Sequence, residues 1–308
     1  MTALTTSAQP GRSTMLRPLP WRRMLWVTWR QHRATLLSVT GLFAALAVFA
    51  VIAGLRIHHQ YAVLMACHPF GSGTCQALNS NFNNTDWTLA NTFNILLHLA
   101  PPLTGAFAGA PLLARELETG SYRYAWTQGY GRTRWTIAKL ALIAVTVTAA
   151  AAAFSQLWAW FFQPFLKQED MTVLTATVFD TRGVSFAAWT LAAFSIGALA
   201  GMFIRRIVPA MAITLGVYLG LQLLTWLFLR KNYVPAVVTS NPKGLNFGPL
   251  TPDTPWVLGT WHIGATQWWR YIPVSRFWPM QFVEGGWLLV LSVLLMAATV
   301  WLVRHRAA

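Results

Sequence analysis

Acidic residues are scarce in this sequence: 8 Asp and Glu stand against 23 Lys and Arg, and only 10% of the 308 residues are charged. An ordinary soluble domain carries about 25% charge, which covers its surface. With 55% hydrophobic residues and a mean hydropathy of +0.45, a soluble fold of this size is excluded. Disorder is excluded as well, because ample apolar area is available to bury. A net charge of +15 would suit a nucleic-acid binder, but such a protein does not set its cations between apolar runs of about 20 residues, so nucleic acid is not an expected partner. Signatures of chemistry are missing too. No G-x-x-x-x-G-K-[ST] phosphate loop, GxGxxG turn, H-E-x-x-H or G-x-S-x-G occurs, which leaves no recognisable route to ATP or peptide hydrolysis. The acids Asp86, Glu116, Glu118, Glu169, Asp170, Asp180, Asp253 and Glu284 all fall in loops or at the ends of apolar runs. Proton-driven carriers place a carboxylate within a span. This distribution therefore argues against a proton-coupled pump and assigns any energy source to another subunit.

Long apolar runs are what the chain does have. Six are long enough to cross a hydrocarbon core: Thr35–Arg56, Trp87–Ala114, Trp135–Phe162, Val184–Ile204, Val208–Leu229 and Gly285–Val303. The expected fold is an all-α polytopic membrane protein with six transmembrane helices. Residues 1–20, rich in Ser, Thr and Pro, read as a disordered tail, and 21–308 as one membrane domain. If both termini are cytoplasmic, the inner segments hold 15 basic and 2 acidic residues, and the outer segments 8 and 6. That bias orients the chain with its termini inside. Trp158, Trp160, Phe161 and Phe162 crowd one end of the third run, where an aromatic belt at headgroup depth is expected. The first run is longer than a signal-peptide core and reads as a retained anchor, and the Arg22–Arg23 pair stands in the wrong context for an export signal.

Between the runs, several features point to function. Trp21–Arg33 reads as a short interfacial helix, with Trp21, Met24, Leu25 and Trp29 on one side and Arg22, Arg23, Arg30 and Arg33 toward anionic lipid on the other. The first outer loop, 57–86, contains Cys67 and Cys75, which can form a disulfide outside the cytoplasm or remain free thiols. His58, His59 and His68 lie nearby but lack metal-ligand spacing. On the second run Asn91, Asn94 and His98 share a face, and Pro101–Pro102 must kink the helix. On the fifth, Thr214, Tyr218, Gln222 and Thr225 align. Each stripe either lines a cavity or glues helices together. Gly105-x-x-x-Gly109, Gly197-x-x-x-Gly201 and Gly216-x-x-x-Gly220 permit close helix approach. The stretch 230–283, with Trp256, Trp261, Trp268, Trp269 and Trp278, is expected to form short helices embedded in the outer interface.

The largest inner loop, Arg115–Lys139, begins where Gly120 can end the second helix in the left-handed conformation and Ser121 can cap a short new one. On that short helix Tyr122, Ala125 and Trp126 share a side, an apolar knob with an ionic rim. The pattern Glu116-x-Glu118-x-Gly120-Ser121, then Thr127-Gln128 and Arg132-x-Arg134-Trp135 before Lys139, resembles the first cytoplasmic loop of type-2 ABC-exporter permeases, most closely the small actinobacterial ones. Trp29-Arg30-Gln31-His32-Arg33 and Pro273-x-Ser275-Arg276-Phe277-Trp278-x-x-Gln281 resemble the same group. The resemblance implies a six-span permease of the bacterial plasma membrane that pairs as a homodimer or heterodimer. It also implies a separate ATP-binding subunit that holds the ATP and Mg, so that this chain has no cofactor of its own. Coupling to that subunit would fall on Trp21–Arg33 and on Glu116, Glu118, Gly120, Trp126, Arg132 and Arg134. The substrate path would run along Asn91, Asn94, His98, Tyr218, Gln222 and Thr225, and the connection between the fifth and sixth spans would re-enter the membrane. Two rival readings remain. One is a membrane enzyme acting on lipid-linked substrates with Asp253, His262, Arg276 and Glu284 as its only plausible acid–base or phosphate-binding set. The other is an immunity or sensor protein of the same fold that binds without transporting.

Overall fold

The computed structural model describes residues 21–69, 71–120, 131–167, 172–240 and 255–306. Among the described residues, six helical segments are long and apolar enough to cross a membrane: span 1 Leu25–Ala66, span 2 Gly73–Thr119, span 3 Arg132–Phe161, span 4 Gly183–Ile204, span 5 Ile207–Asn232 and span 6 Val274–His305. An even number of spans puts both chain ends on one side. That side also carries the 205–206 turn and the facing ends of spans 2 and 3, and is called the basic face here. The opposite side is the far face.

Span 4 lies at the centre and packs against spans 2, 3, 5 and 6. Its sequence explains this position. Ala, Gly and Ser dominate Gly183–Ile204, and nearly every side chain in it is buried. Gly105 and Gly109 of span 2 face Gly197 and Gly201 of span 4. A Cβ on any of the four would run into backbone of the opposing helix, at Ala193, Phe194, Gly105 or Ala110. Two of the three small-residue pairs thus meet each other, while Gly216 and Gly220 of span 5 have open space in front of them. Span 2 is irregular, as its prolines demand. It turns tightly at His98–Leu99 just before Pro101–Pro102, and winds as π-helix at Phe82–Asp86 and Gly105–Gly109.

Three expectations need correction. Trp21–Arg33 is helical, but it is not a separate interfacial helix: it continues unbroken into span 1 as one helix, Trp21–Ala66, of 46 residues. No proline or capping signal interrupts that run, so the helix has no reason to stop at the membrane surface. Thr28, Leu36, Val39 and Phe43 turn toward the bundle, while Leu25, Trp26 and Trp29 are exposed. The aromatics at the end of span 3 do not form a lipid-facing belt. Trp158, Phe161 and Phe162 are buried and stack with Phe93, Trp87 and Phe165, while His58 of span 1 stacks on Trp160 at 4.6 Å. They are covered because the helices of spans 1 and 2 run past them as a helical hairpin, whose turn is closed by a disulfide between Cys67 and Cys75, Cα atoms 5.8 Å apart.

The third correction concerns the Trp-rich connection on the far face. Its described residues form a three-stranded antiparallel sheet where embedded helices were expected: β1 Val237–Thr239, β2 Trp256–Ile263 and β3 Thr266–Ile272, in the order β1-β3-β2. Trp261 pairs with Trp268 and Thr260 with Trp269 across the β2–β3 hairpin. Gly264 takes a positive φ of 61° at the two-residue turn. Trp, Thr, Val, Ile and Tyr on both sides of a Gly-led turn favour a hairpin over a helix.

Candidate functional site

Two polar centres stand at opposite ends of the bundle. The one near the far face is built on Arg230, at the end of span 5. Arg230 is 1% exposed and Glu284 of span 6 is fully buried. The guanidinium donates to both Glu284 oxygens, from Nε at 3.1 Å and from Nη2 at 2.9 Å. Nη2 also pairs with Asp180, just ahead of span 4. Trp189 Nε1 donates to Glu284 at 2.8 Å and Gln222 Nε2 to Asp180 at 3.0 Å. The Phe179 ring lies 4.6 Å from the guanidinium carbon. Spans 4, 5 and 6 are thereby joined through one ionic knot. Beside it, Trp287 Nε1 donates to the Tyr233 hydroxyl at 2.9 Å. Burial, aided by the Glu284 carboxylate, pushes the Tyr233 phenol well above its usual range and keeps it neutral.

The knot corrects the reading that acids stay at span ends. Glu284 interrupts the apolar run, which therefore starts at Gly285, but the helix begins at Phe277 and Glu284 lies two turns inside it. Asp180 and Asp86 are buried as well, the latter 3.5 Å from Arg56. Of the residues named for the membrane-enzyme reading, Glu284 is held by Arg230 and Trp189, while His262 on β2 and Arg276 in the first turn of span 6 are exposed; Asp253 lies outside the described residues. Gln281, the last residue of the Pro273–Gln281 motif, has a role the sequence did not disclose. It accepts from Ser185 N and donates to Phe179 O, both at 2.9 Å, pinning the start of span 4 to span 6.

The polar stripes of spans 2 and 5 face one another within the chain. His98, Tyr218 and Gln222 line a cavity of only about 10 Å³ together with Asp180, Thr181 and Trp189. Asn94 is fully engaged as glue: it donates to Thr177 O at 3.3 Å and accepts from Trp158 Nε1 at 3.2 Å and Thr181 Oγ1 at 3.0 Å. His98 Nδ1 lies 2.8 Å from the Asn94 carbonyl, which the tight turn before the prolines leaves available. Thr225 turns its hydroxyl back to Leu221 O at 2.8 Å. Asn91 is half-buried and does not line the cavity.

The second centre lies on the basic face, around the ends of the 121–130 segment; Trp126 and the short helix expected around it lie outside the described residues. Gly120 ends span 2 with φ of 69°, in the left-handed conformation expected of it. Glu116, one turn earlier, pairs with Lys139 of span 3. The Lys139 side chain is fully buried, with its ammonium 4.4 Å from the centre of the Trp135 ring. Glu118 Oε2 accepts from the backbone N–H of Ile207 at 3.2 Å. A carboxylate thus caps the first turn of span 5, where the helix dipole favours it. Arg132 and Arg134 open span 3 and are exposed. Between the basic-face ends of spans 1 and 2 is a polar cavity of about 310 Å³, lined by Gln31, His32, Arg115, Glu116 and Thr119 among others. His32 Nε2 is buried near it without a hydrogen-bond partner. The two carboxylates of the loop's first flank therefore hold spans 3 and 5, a wiring no spacing rule reveals because the partners are 23 and 89 residues away.

Comparison with curated proteins and with solved structures gives no match. A family model described as ABC-2 membrane transporter related matches residues 40–230, from span 1 through the Arg230 knot. With more than half of its length matched and six spans in place, the chain belongs to the ABC-2 membrane transporter-related family, as a multi-pass permease component.

Proposed function

We propose that this chain is the transmembrane subunit of a bacterial ABC exporter, driven by a separate ATP-binding subunit that docks on the basic face. The observation that carries the proposal is the wiring of Glu116 to Lys139 and of Glu118 to the start of span 5, at the foot of the loop that resembles a coupling element. The excess of basic residues on this face supports a cytoplasmic orientation. ATP and Mg would sit in the partner. A push on the loop by that partner would move the ends of spans 2, 3 and 5 together, since a buried ammonium does not readily leave its carboxylate. The polar cavity beside Glu116 and the exposed Arg132 and Arg134 offer the partner further contacts.

Span 5 is the least enclosed of the six, and the open Gly216 and Gly220 would let a second permease approach closely. Pairing there would set the stripe of Tyr218 and Gln222 next to the dimer axis. The nearly closed cavity around them fits a resting state that opens only when the far ends of spans 4, 5 and 6 shift. Transport then requires substrate affinity to differ between the two states. The test is co-expression with an ATP-binding subunit drawn from the same operon. The two should co-purify, and the permease should stimulate ATPase activity. Neither association nor stimulation, with Glu116, Glu118 and Trp126 intact, would sink the proposal.

A further inference from the structure

A second cavity lies near the far face, away from the ionic knot. It measures about 380 Å³ and lies between the ends of spans 3 and 6 and the start of span 4. Arg182, Gln156 and Ser275 supply its polar side, and Phe277, Trp278 and Val274 its apolar one. Among the described residues, every charged or hydrogen-bonding side chain in this lining can donate, and none is a carboxylate. Arg182 is half-buried, and unlike Arg230 it has no ion pair among the described residues. Burial lowers its pKa below the usual arginine range. The nearest acid in sequence, Asp180, is already held by Arg230 and Gln222. Span 4 also begins here, at Gly183, so its positive dipole end adds to the potential. Trp278 and Phe282, on the first turns of span 6, are exposed, as aromatics at a membrane–water boundary are.

We infer that this cavity binds an amphipathic phosphate ester, the phosphate held by Arg182, Ser275 and Gln156 and the apolar part lying along Phe277 and Trp278. A guanidinium fork matches phosphate oxygens, and the bound anion would supply a counter-charge to Arg182, which has no ion pair among the described residues. The cavity is far larger than a lone anion needs, which the ring-lined half explains. Two sources share this chemistry: an anionic phospholipid whose tails run down the lipid side of span 6, and a soluble phosphate ester.

Native mass spectrometry of the purified permease tests the assignment. Dioleoyl-phosphatidylglycerol, dioleoylglycerol and glycerol 3-phosphate are titrated separately. Retention of phosphatidylglycerol but not dioleoylglycerol supports the site with lipid as the source. Retention of glycerol 3-phosphate alone supports it with a soluble source. In either case Arg182→Gln should weaken retention about tenfold, the scale of a lost charge-assisted hydrogen bond, and Arg276→Gln, outside the lining, should not. If Arg182→Gln does not fold, Ser275→Ala on the exposed turn gives the readout, with a smaller loss expected. Wild-type retention by the folded lining variants, or binding of dioleoylglycerol as tight as that of phosphatidylglycerol, overturns the inference.

Discussion

Replacing Arg230 with Met tests whether the ionic knot holds the far ends of spans 4, 5 and 6 together. The side chains of Arg230 and Glu284 are 2% and 0% exposed, and that of Asp180 11%. Met fills much of the same volume but leaves two carboxylates facing each other with no cation between them. Breaking a buried ion pair from one side costs about 3–5 kcal/mol. Glu284 retains the Trp189 donor and the neighbouring Tyr233 hydroxyl, and Asp180 retains Gln222, so a loss within that range is expected. The triple variant Asp180→Asn, Arg230→Met, Glu284→Gln removes every charge and should recover most of the loss, because an apolar or neutral replacement of a whole buried ionic cluster is often close to neutral. Thermal unfolding of the detergent-purified permease, followed by the monodisperse fraction on size exclusion, reads both variants. A single variant as stable as wild type, or a triple variant no better than the single, would refute the reasoning.

Other substitutions probe the remaining contacts. Gly197→Leu drives a side chain into the backbone of span 2 and should abolish a monodisperse fold, because overpacking beyond the usual ~1–3 kcal/mol has no room to relax there, whereas Gly216→Leu should fold normally by the same chromatography. Glu116→Ala strands the buried Lys139 and should destabilise by about 3 kcal/mol in thermal unfolding, with Glu116→Ala/Lys139→Met restoring stability. Glu118→Ala, on an exposed side chain, should leave the melting temperature nearly unchanged and lower stimulation of the partner's ATPase. Cys67→Ser should expose Cys75 to a thiol-reactive polyethylene glycol probe, which labels wild type only after reduction, and should cost about 2 kcal/mol for so short a loop.

Much of the fold could be read in the sequence because membrane spans announce themselves through long apolar runs. The limits of those runs were less legible. A helix does not end where its apolar character ends, so span 1 continues to Trp21 and span 6 reaches back past Glu284. The same confusion hid the buried acids: a carboxylate at the edge of an apolar window looks solvated until the arginine beside it is seen. Gly120 was readable because a left-handed helix end is a local demand of the backbone. The Glu118–Ile207 cap and the Gln281 staple were not, since each depends on helices brought together by packing. The β2–β3 hairpin was readable in principle: Thr266 to Ile272 mirrors Trp256 to Ile263 across Gly264. Tryptophan density, taken as a sign of interface helices, outweighed that strand pattern.

The length of the first helix has a mechanical consequence. Forty-six residues at 1.5 Å each make a rod of about 69 Å, more than twice a hydrocarbon core of about 30 Å. It contains no proline, and a covalent clasp at its far tip binds it to the next helix. Such a rod would act as a lever: pivoted midway along its length, a tilt of 10° swings each end by roughly 6 Å in opposite directions. A small stroke at the basic end would thus be returned, reversed in direction, at the clasped tip.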